Sequence, residues 1–433
     1  MASAAGLESA YRIGNRKASE DAYCARSNPD GIVGLGLAEN GVAYHSGGWG
    51  ESIHRSTQRL AEAGAFTDAR ARYPSWQGLP GLRQGLARLM SCVGFSNTQG
   101  SPPDSDDLVV FCGATAAVEA VAFALCDPGD GILVPAPYYA SFDVDLGLRA
   151  RCVPVPVPAG SGRAWRAPTL DAFDAAFEEA SSCTGRPPRV LLLCSPNNPT
   201  GVVYSAAEIE EMCEWAVGKG MHVVSDEVYA GTEEAGEGLL HQGFTSAASA
   251  VPPGSESRVH VIYGLSKVAG VPGLRAACIW TLNARVKDAL SASGRFASLP
   301  SDTQLVLADV LRDRVHVQSL VALSRQALSD RRRDALAAVR GFLEGCGVPC
   351  VVPDAGVYLW ARLADADDAV DLALFEDCLQ GGVCVTPGQA FHSPEPGWFR
   401  ICFAAGGEDE TRLGLGRLDA ALCARQGQGG RVR

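Results

Sequence analysis

Apolar positions along this chain follow two spacings that alternate at short intervals. Brief, mostly apolar runs at Leu108–Cys112, Gly131–Pro135, Val190–Cys194, His222–Ser225 and Arg258–Tyr263 are too short for stable helices. Their content of β-branched residues predicts strands buried on both faces. Between them, Gly81–Val93, Thr115–Leu125, Leu170–Ser181 and Ala206–Lys219 repeat apolar residues at the spacing of one helix face. Strand and helix in strict alternation predict an α/β fold, with a mostly parallel sheet covered by helices on both faces.

The last third reads differently. Long helical patterns at Asp302–Arg312 and Ser319–Gly341 precede a hairpin-like region, Val348–Leu363. A helix near Asp371–Leu379, strands at Val383–Val385 and Phe399–Phe403, and a last helix complete a smaller α+β domain. The first fifty residues lack such a pattern and read as an arm with a short helix. The expected division is therefore an arm at 1–50 that contributes to the small domain and the active site, a large cofactor-binding domain at 51–295, and a small C-terminal domain at 296–433. Segments 158–168, 235–257 and 424–433, rich in Gly, Pro or Ser, are expected loops or tails.

Composition narrows the partners. The 433 residues carry a net charge of −12 with scattered basic residues, which argues against nucleic acid or an anionic membrane surface. Leu108–Cys126 is almost long and apolar enough to span a bilayer, but Gly113, Thr115 and Glu119 interrupt it. Fifteen cysteines sit mostly inside apolar patterns, and Cys346 with Cys350 has no second pair to complete a zinc site. Free thiols in a reducing compartment are expected. An acidic N-terminus without a signal-like apolar core points to the cytoplasm.

Three short stretches follow predicted strands and carry the chemistry: Ser195-Pro-Asn-Asn-Pro-Thr-Gly201, Ser225-Asp-Glu-Val-Tyr229, and Ser266-Lys267 with Arg275 beyond. In a parallel sheet, ligands sit beyond the carboxyl ends of strands, so one crevice can collect them. Asn198, Asp226, Tyr229, Lys267 and Arg275 suit an aldehyde cofactor with a pyridine nitrogen, a phenolic oxygen and a phosphate: pyridoxal 5'-phosphate. Asp226 would keep the ring nitrogen protonated, and Asn198 and Tyr229 would donate to the phenolic oxygen. Lys267 would bond the aldehyde and then serve as base at Cα. Ser266 and Arg275 would hold the phosphate, joined by the first amides of a helix at Ala114 and Thr115. Taken singly, each residue could equally be a cap, a turn former or a surface charge. Their joint occurrence in order, each at a strand end, points to one site.

These stretches resemble the fold-type-I aminotransferases, and the likeness covers nearly the whole chain. Asn28–Asn40, Pro135–Asp145 and Glu395–Phe403 are similar to the 1-aminocyclopropane-1-carboxylate synthase branch. That resemblance implies that Tyr139 stacks on the cofactor ring, Arg400 clamps the substrate carboxylate and Glu39 faces the substrate. It also implies that Tyr73 reaches the phosphate of a neighbouring subunit, hence a homodimer with shared active sites. The chain departs from the plant members at Trp76, where they carry tyrosine, at Thr200 and at Val268. The expected activity is α,γ-elimination on S-adenosylmethionine. The alternative is transfer of an amino group from an amino acid to a 2-oxo acid, and a third reading is a non-catalytic relative kept for binding.

Overall fold

The computed structural model describes residues 10–159, 165–235, 243–343, 350–364 and 368–427. Its centre is a seven-stranded sheet. Across the sheet the order is Leu108–Cys112, Ala276–Thr281, Val259–Gly264, His222–Asp226, Val190–Cys194, Gly131–Ala136 and Val153–Pro158. Ala276–Thr281 runs antiparallel to both its neighbours, and the remaining pairs are parallel. The register is therefore decisive for the site: Cys194 lies beside Asp226, and Cys112 beside Ala276, so strand ends align along one edge. The runs Leu108–Phe111 and Leu191–Leu193 are almost wholly buried, as continuous apolar runs covered on two faces should be.

Local signals explain where the covering helices begin. Ser205 and Glu208 form a reciprocal capping box at the start of Ala206–Gly218. Thr169 caps Leu170–Thr184, Asn283 caps Ala284–Ser293, and Pro80 opens Pro80–Cys92 where its missing N–H costs nothing. Residues 10 to 62 hold the helices Ala10–Glu20, Gly41–His45 and Trp49–Glu62 and the strand Val33–Gly34, more than the arm with one short helix expected over 1–50. Helix Trp49–Glu62 buries only Trp49, Ser52 and Ser56, so two of its three inward positions are polar. Val153–Pro158 alternates valine and proline, and it survives as a strand because it lies at the sheet edge, where proline's lost donor is not needed. The expected loop or tail at 424–433 is corrected over 424–427, where helix Glu408–Gly427 continues; 428–433 lie outside the described residues.

The C-terminal sheet is antiparallel, in the order Thr386–Pro387, Trp398–Cys402, Tyr358–Arg362 and Cys350–Val351. Trp360 and Trp398 stack there at 5.7 Å with Trp165 edge-on at 5.1 Å from Trp398. The strand Val33–Gly34 pairs in parallel with Val383–Cys384, and helix Ala10–Glu20 packs beside it. Helix Arg314–Leu343 spans both regions. Its buried Arg325 pairs with buried Glu233 at 2.7 Å, and Arg332 donates to the carbonyls of Thr232 and Gly356. No helix among the described residues is long and apolar enough to cross a membrane.

Candidate active site

The aligned strand ends open into one cavity of about 690 Å³, counting its mouth. Ala114, Thr115, Tyr139, Asn198, Asp226, Tyr229, Ser266, Lys267 and Arg275 all line it. They arrive from several elements. Asp226 ends its strand, Asn198 follows Val190–Cys194, and Lys267 sits in the single turn Leu265–Val268 after Val259–Gly264. Arg275 immediately precedes the antiparallel strand Ala276–Thr281, which brings it to the same edge. Its φ of 51° turns the chain sharply at that point.

Gly113 shows how closely these parts approach. Its φ is +89°, and a Cβ added there would stand 2.3 Å from Nη2 of Arg275. Only glycine lets the guanidinium lie across the start of helix Ala114–Leu125. Among the described residues the Arg275 guanidinium meets no carboxylate in an ion pair, and its side-chain hydrogen bond goes to the carbonyl of Pro272 at 3.2 Å. A free guanidinium above a helix N-terminus is the donor set a phosphate requires.

Lys267 donates from Nζ to the carbonyl of Ala38 at 2.5 Å and lies 5.5 Å from the Tyr229 ring centre. Burial, seconded by the Arg400 cation, lowers its amine to about 8, against the opposing pull of Cys402, Glu39 and Asp226. Burial raises Asp226 to about 6, opposed by the amide of Val228 and by Lys267. One Asp226 oxygen accepts from that amide at 3.2 Å, while the other accepts from no protein group among the described residues. Burial likewise holds the Tyr229 phenol well above its ordinary value, so it stays a donor. Asn198 reaches Tyr229 Oη from Nδ2 at 3.4 Å and accepts from Arg400 at 2.8 Å.

Arg400 and Glu39 do not line the cavity itself but border it. Arg400 is fully buried, with Phe391, Tyr358 and Tyr11 rings packed around its guanidinium at 4.7, 5.4 and 5.5 Å. It also donates to the carbonyl of Gly36 at 2.5 Å. Glu39 lies half-buried on the same segment, one residue beyond the carbonyl that holds Lys267. Tyr73 is 89% exposed, near Trp76, and takes no part in the cavity of its own chain.

Several participants escaped motif reading. Asn40 donates to the carbonyl of Lys267 at 2.5 Å, and Tyr11 meets Tyr139 edge-on at 6.3 Å. Asp145, Cys194 and Phe142 also line the cavity. Backbone carbonyls such as those of Gly36 and Ala38 leave no trace in a residue pattern; Asn40 had one signal, as the cap of helix Gly41–His45. Among the described residues no cluster suits a metal ion, and their cysteines are free thiols.

Pyridoxal 5'-phosphate fits these residues. Arg275 and the Ala114–Thr115 helix start would hold its phosphate, and the open Asp226 oxygen its ring nitrogen. Tyr139 offers an aromatic face and Lys267 an amine whose proton is weakly held. Residues 34–418 match the sequence profile of the family described as aminotransferase class I and II. The chain is 32% identical to a 1-aminocyclopropane-1-carboxylate synthase of Oryza sativa subsp. japonica over 95% of its own length and 77% of the relative's. It is 31% identical to a probable aminotransferase of Arabidopsis thaliana, over 95% and 82%. Among solved structures, an aspartate aminotransferase from Thermus thermophilus superposes with a TM-score of 0.74 at 22% identity, covering 96% of this chain and 97% of that one. The fold, the donor set and the profile agree, and the chain belongs to the aminotransferase class I and II family of pyridoxal-phosphate enzymes.

Proposed function

We propose that this enzyme acts at Cα of an amino acid as a 1-aminocyclopropane-1-carboxylate synthase-like lyase on S-adenosylmethionine. The observation that carries this reading is the segment Gly36–Asn40. It is tied at once to Lys267, through the Ala38 carbonyl and Asn40, and to Arg400, through the Gly36 carbonyl. That segment lies in one of the three stretches that resemble the synthase branch, and the synthase relatives support the reading at 32% identity.

The bound cofactor supplies an electron sink for the pair left at Cα when its proton departs. The chain's residues do the rest. Arg400 grips the α-carboxylate, and the Asn198 amide fixes the guanidinium's angle. Lys267, already depleted of its proton near pH 8, takes the Cα proton and holds it on Nζ. Asp226 keeps the ring nitrogen protonated, while Tyr229 and Asn198 donate to the phenolic oxygen. Glu39 stands on the substrate side, where a carboxylate orients a sulfonium cation. Departure of the sulfur from Cγ then closes the three-membered ring. Release of methylthioadenosine from S-adenosylmethionine by fully loaded enzyme is the test, and none released would overturn the reading.

A second reading, amino-group transfer, is favoured by the Asn197–Thr200 turn. Thr200 donates from its hydroxyl to Asn197 Oδ1 at 2.7 Å, inside a sequence of the general aminotransferase type rather than the plant synthase type. Here Lys267 returns the proton to the cofactor carbon instead of assisting sulfur departure. An amino acid that converts the bound cofactor to its aminated form, reversed by a 2-oxo acid, would establish it. The proposed assembly is a homodimer in which Tyr73 reaches the partner's phosphate. Exposure of Tyr73 at 89% and Phe296 at 82%, with Trp76 beside Tyr73, supports that arrangement. Free thiols support a cytoplasmic location.

A further inference from the structure

The short helix Phe142–Gly147 carries two aspartates with opposite surroundings. Asp143 is fully engaged: it accepts from Tyr138 Oη at 2.7 Å and contacts His392 Nε2 at 2.7 Å. Asp145 is only 9% exposed and lines the cofactor cavity together with Asp226 and Arg275. Its carboxyl has no hydrogen-bond or ion-pair partner among the described residues. A buried carboxyl without partners, facing the place where a ligand fits, is a costly arrangement unless it acts on that ligand.

Its charged neighbours define what it can do. Asp226 comes from the adjoining strand end, Glu119 from helix Ala114–Leu125 and Arg275 from the phosphate side. Glu119 is paired with Arg149 at 3.0 Å, which leaves Asp226 as the carboxylate whose charge Asp145 meets across the cavity. Tyr139 packs against Phe142 of the same helix at 5.4 Å. One carboxylate suffices to hold a protonated ring nitrogen, so the second needs another account.

We infer that Asp145 is a positioning residue that acts through Asp226, its gain or loss of a proton setting how tightly the Asp226–ring-nitrogen pair keeps the ring proton. Burial and the Asp226 charge raise Asp145 to about 7, so it changes charge within the working range. When Asp145 is neutral, the pair has one negative charge facing the ring; when ionised, a second charge strengthens the hold on the proton. The strength of the electron sink then follows pH. The inference rests on the cofactor reading, and it is independent of which amino acid is the substrate.

The test uses holoenzyme loaded with cofactor bearing ¹⁵N in its ring, with the nitrogen's chemical shift followed against pH without substrate. The wild-type curve is expected to show an inflection near neutrality that D145N lacks. The ring nitrogen of D145N should also release its proton about one pH unit lower. D145E, which retains an ionisable group, should restore the inflection. Coincident curves for wild type and D145N overturn the inference, even where D145N loses stability or cofactor affinity, because a structural role alone does not remove a titration. A wild-type protein that takes up no cofactor would instead overturn the cofactor reading itself.

Discussion

The amine of Lys267 is enclosed beside the Arg400 cation, and this decides when it can react. Its value near 8 lies below the 10.5 of a free lysine, so the neutral, nucleophilic form grows as pH rises through 8. The rate at which cofactor-free protein captures pyridoxal phosphate should therefore climb with pH and level off above about 8, read by absorbance. A rate that keeps rising to pH 10 would contradict this. Lys267→Ala should lower turnover by about 10²–10⁴-fold or more, with the fold intact by circular dichroism. Arg400→Lys should raise KM by about 10- to 100-fold, because a lysine cannot offer the carboxylate two parallel donors. Asn198, Asp226, Tyr229 and Lys267 were legible because each follows a recognisable strand, and Arg275 because it stands eight residues past Lys267; the strand it precedes, Ala276–Thr281, was not read. Asp145 was not, since an aspartate in Phe-Asp-Val-Asp reads as the polar side of an ordinary helix.

Elements hold these residues through a few close seams. Gly270 has a φ of +65°, and a Cβ there would stand 2.0 Å from the carbonyl oxygen of Asn40. Gly270→Ala should push Asn40 and its helix off the lysine turn and sharply reduce cofactor retention. Ser205→Ala breaks a capping box remote from the cavity, and should cost about 1 kcal/mol in denaturant unfolding with kcat unchanged. Glu227 shows a different coupling. It is buried, accepts from Ser246 Oγ at 3.0 Å and from the Ala247 amide at 2.9 Å, and burial raises it to about 8 from 4.5. The folded chain thus retains this proton after the unfolded chain has lost it, and stability falls as pH rises from about 4.5 to 8. Glu227→Gln keeps both acceptor contacts and should flatten the fall in thermal midpoint across that window; an unchanged slope would refute the assignment. Edge strands, weakly amphipathic helices and the interior strand Ala276–Thr281 were the elements the sequence concealed. Val153–Pro158 has the wrong residues for a central strand, and Trp49–Glu62 buries serines where a pattern search wants leucine.

At the scale of the molecule, alternation of strand and helix correctly announced a covered, mostly parallel sheet. It could not reveal the strand order, which depends on crossovers between segments far apart in sequence. Nor could it show which groups of the expected N-terminal arm meet the lysine, namely the Ala38 carbonyl and Asn40. Removing residues 1–45 would delete the Ala38 carbonyl, Asn40 and Tyr11 together. Such a protein should keep the strand spectrum of the central sheet yet fail to retain the cofactor through gel filtration.

The parallel pairing of Val33–Gly34 with Val383–Cys384 has a consequence for biosynthesis. Leu35 receives from Cys402 at 2.7 Å, and Gly41 donates to Ala404 at 2.8 Å, so the N-terminal segment, besides its ties to Lys267, is fastened by residues near the other end. A ribosome adding about 5–20 residues each second takes tens of seconds to travel from one to the other. Throughout that interval the strands ending at Cys194 and Asp226 exist without their cover. Chains stalled before residue 400 should not retain pyridoxal phosphate, while chains released a few tens of residues later should. The enzyme would then gain its cofactor only once synthesis is complete, and unfinished copies would carry no reactive aldehyde.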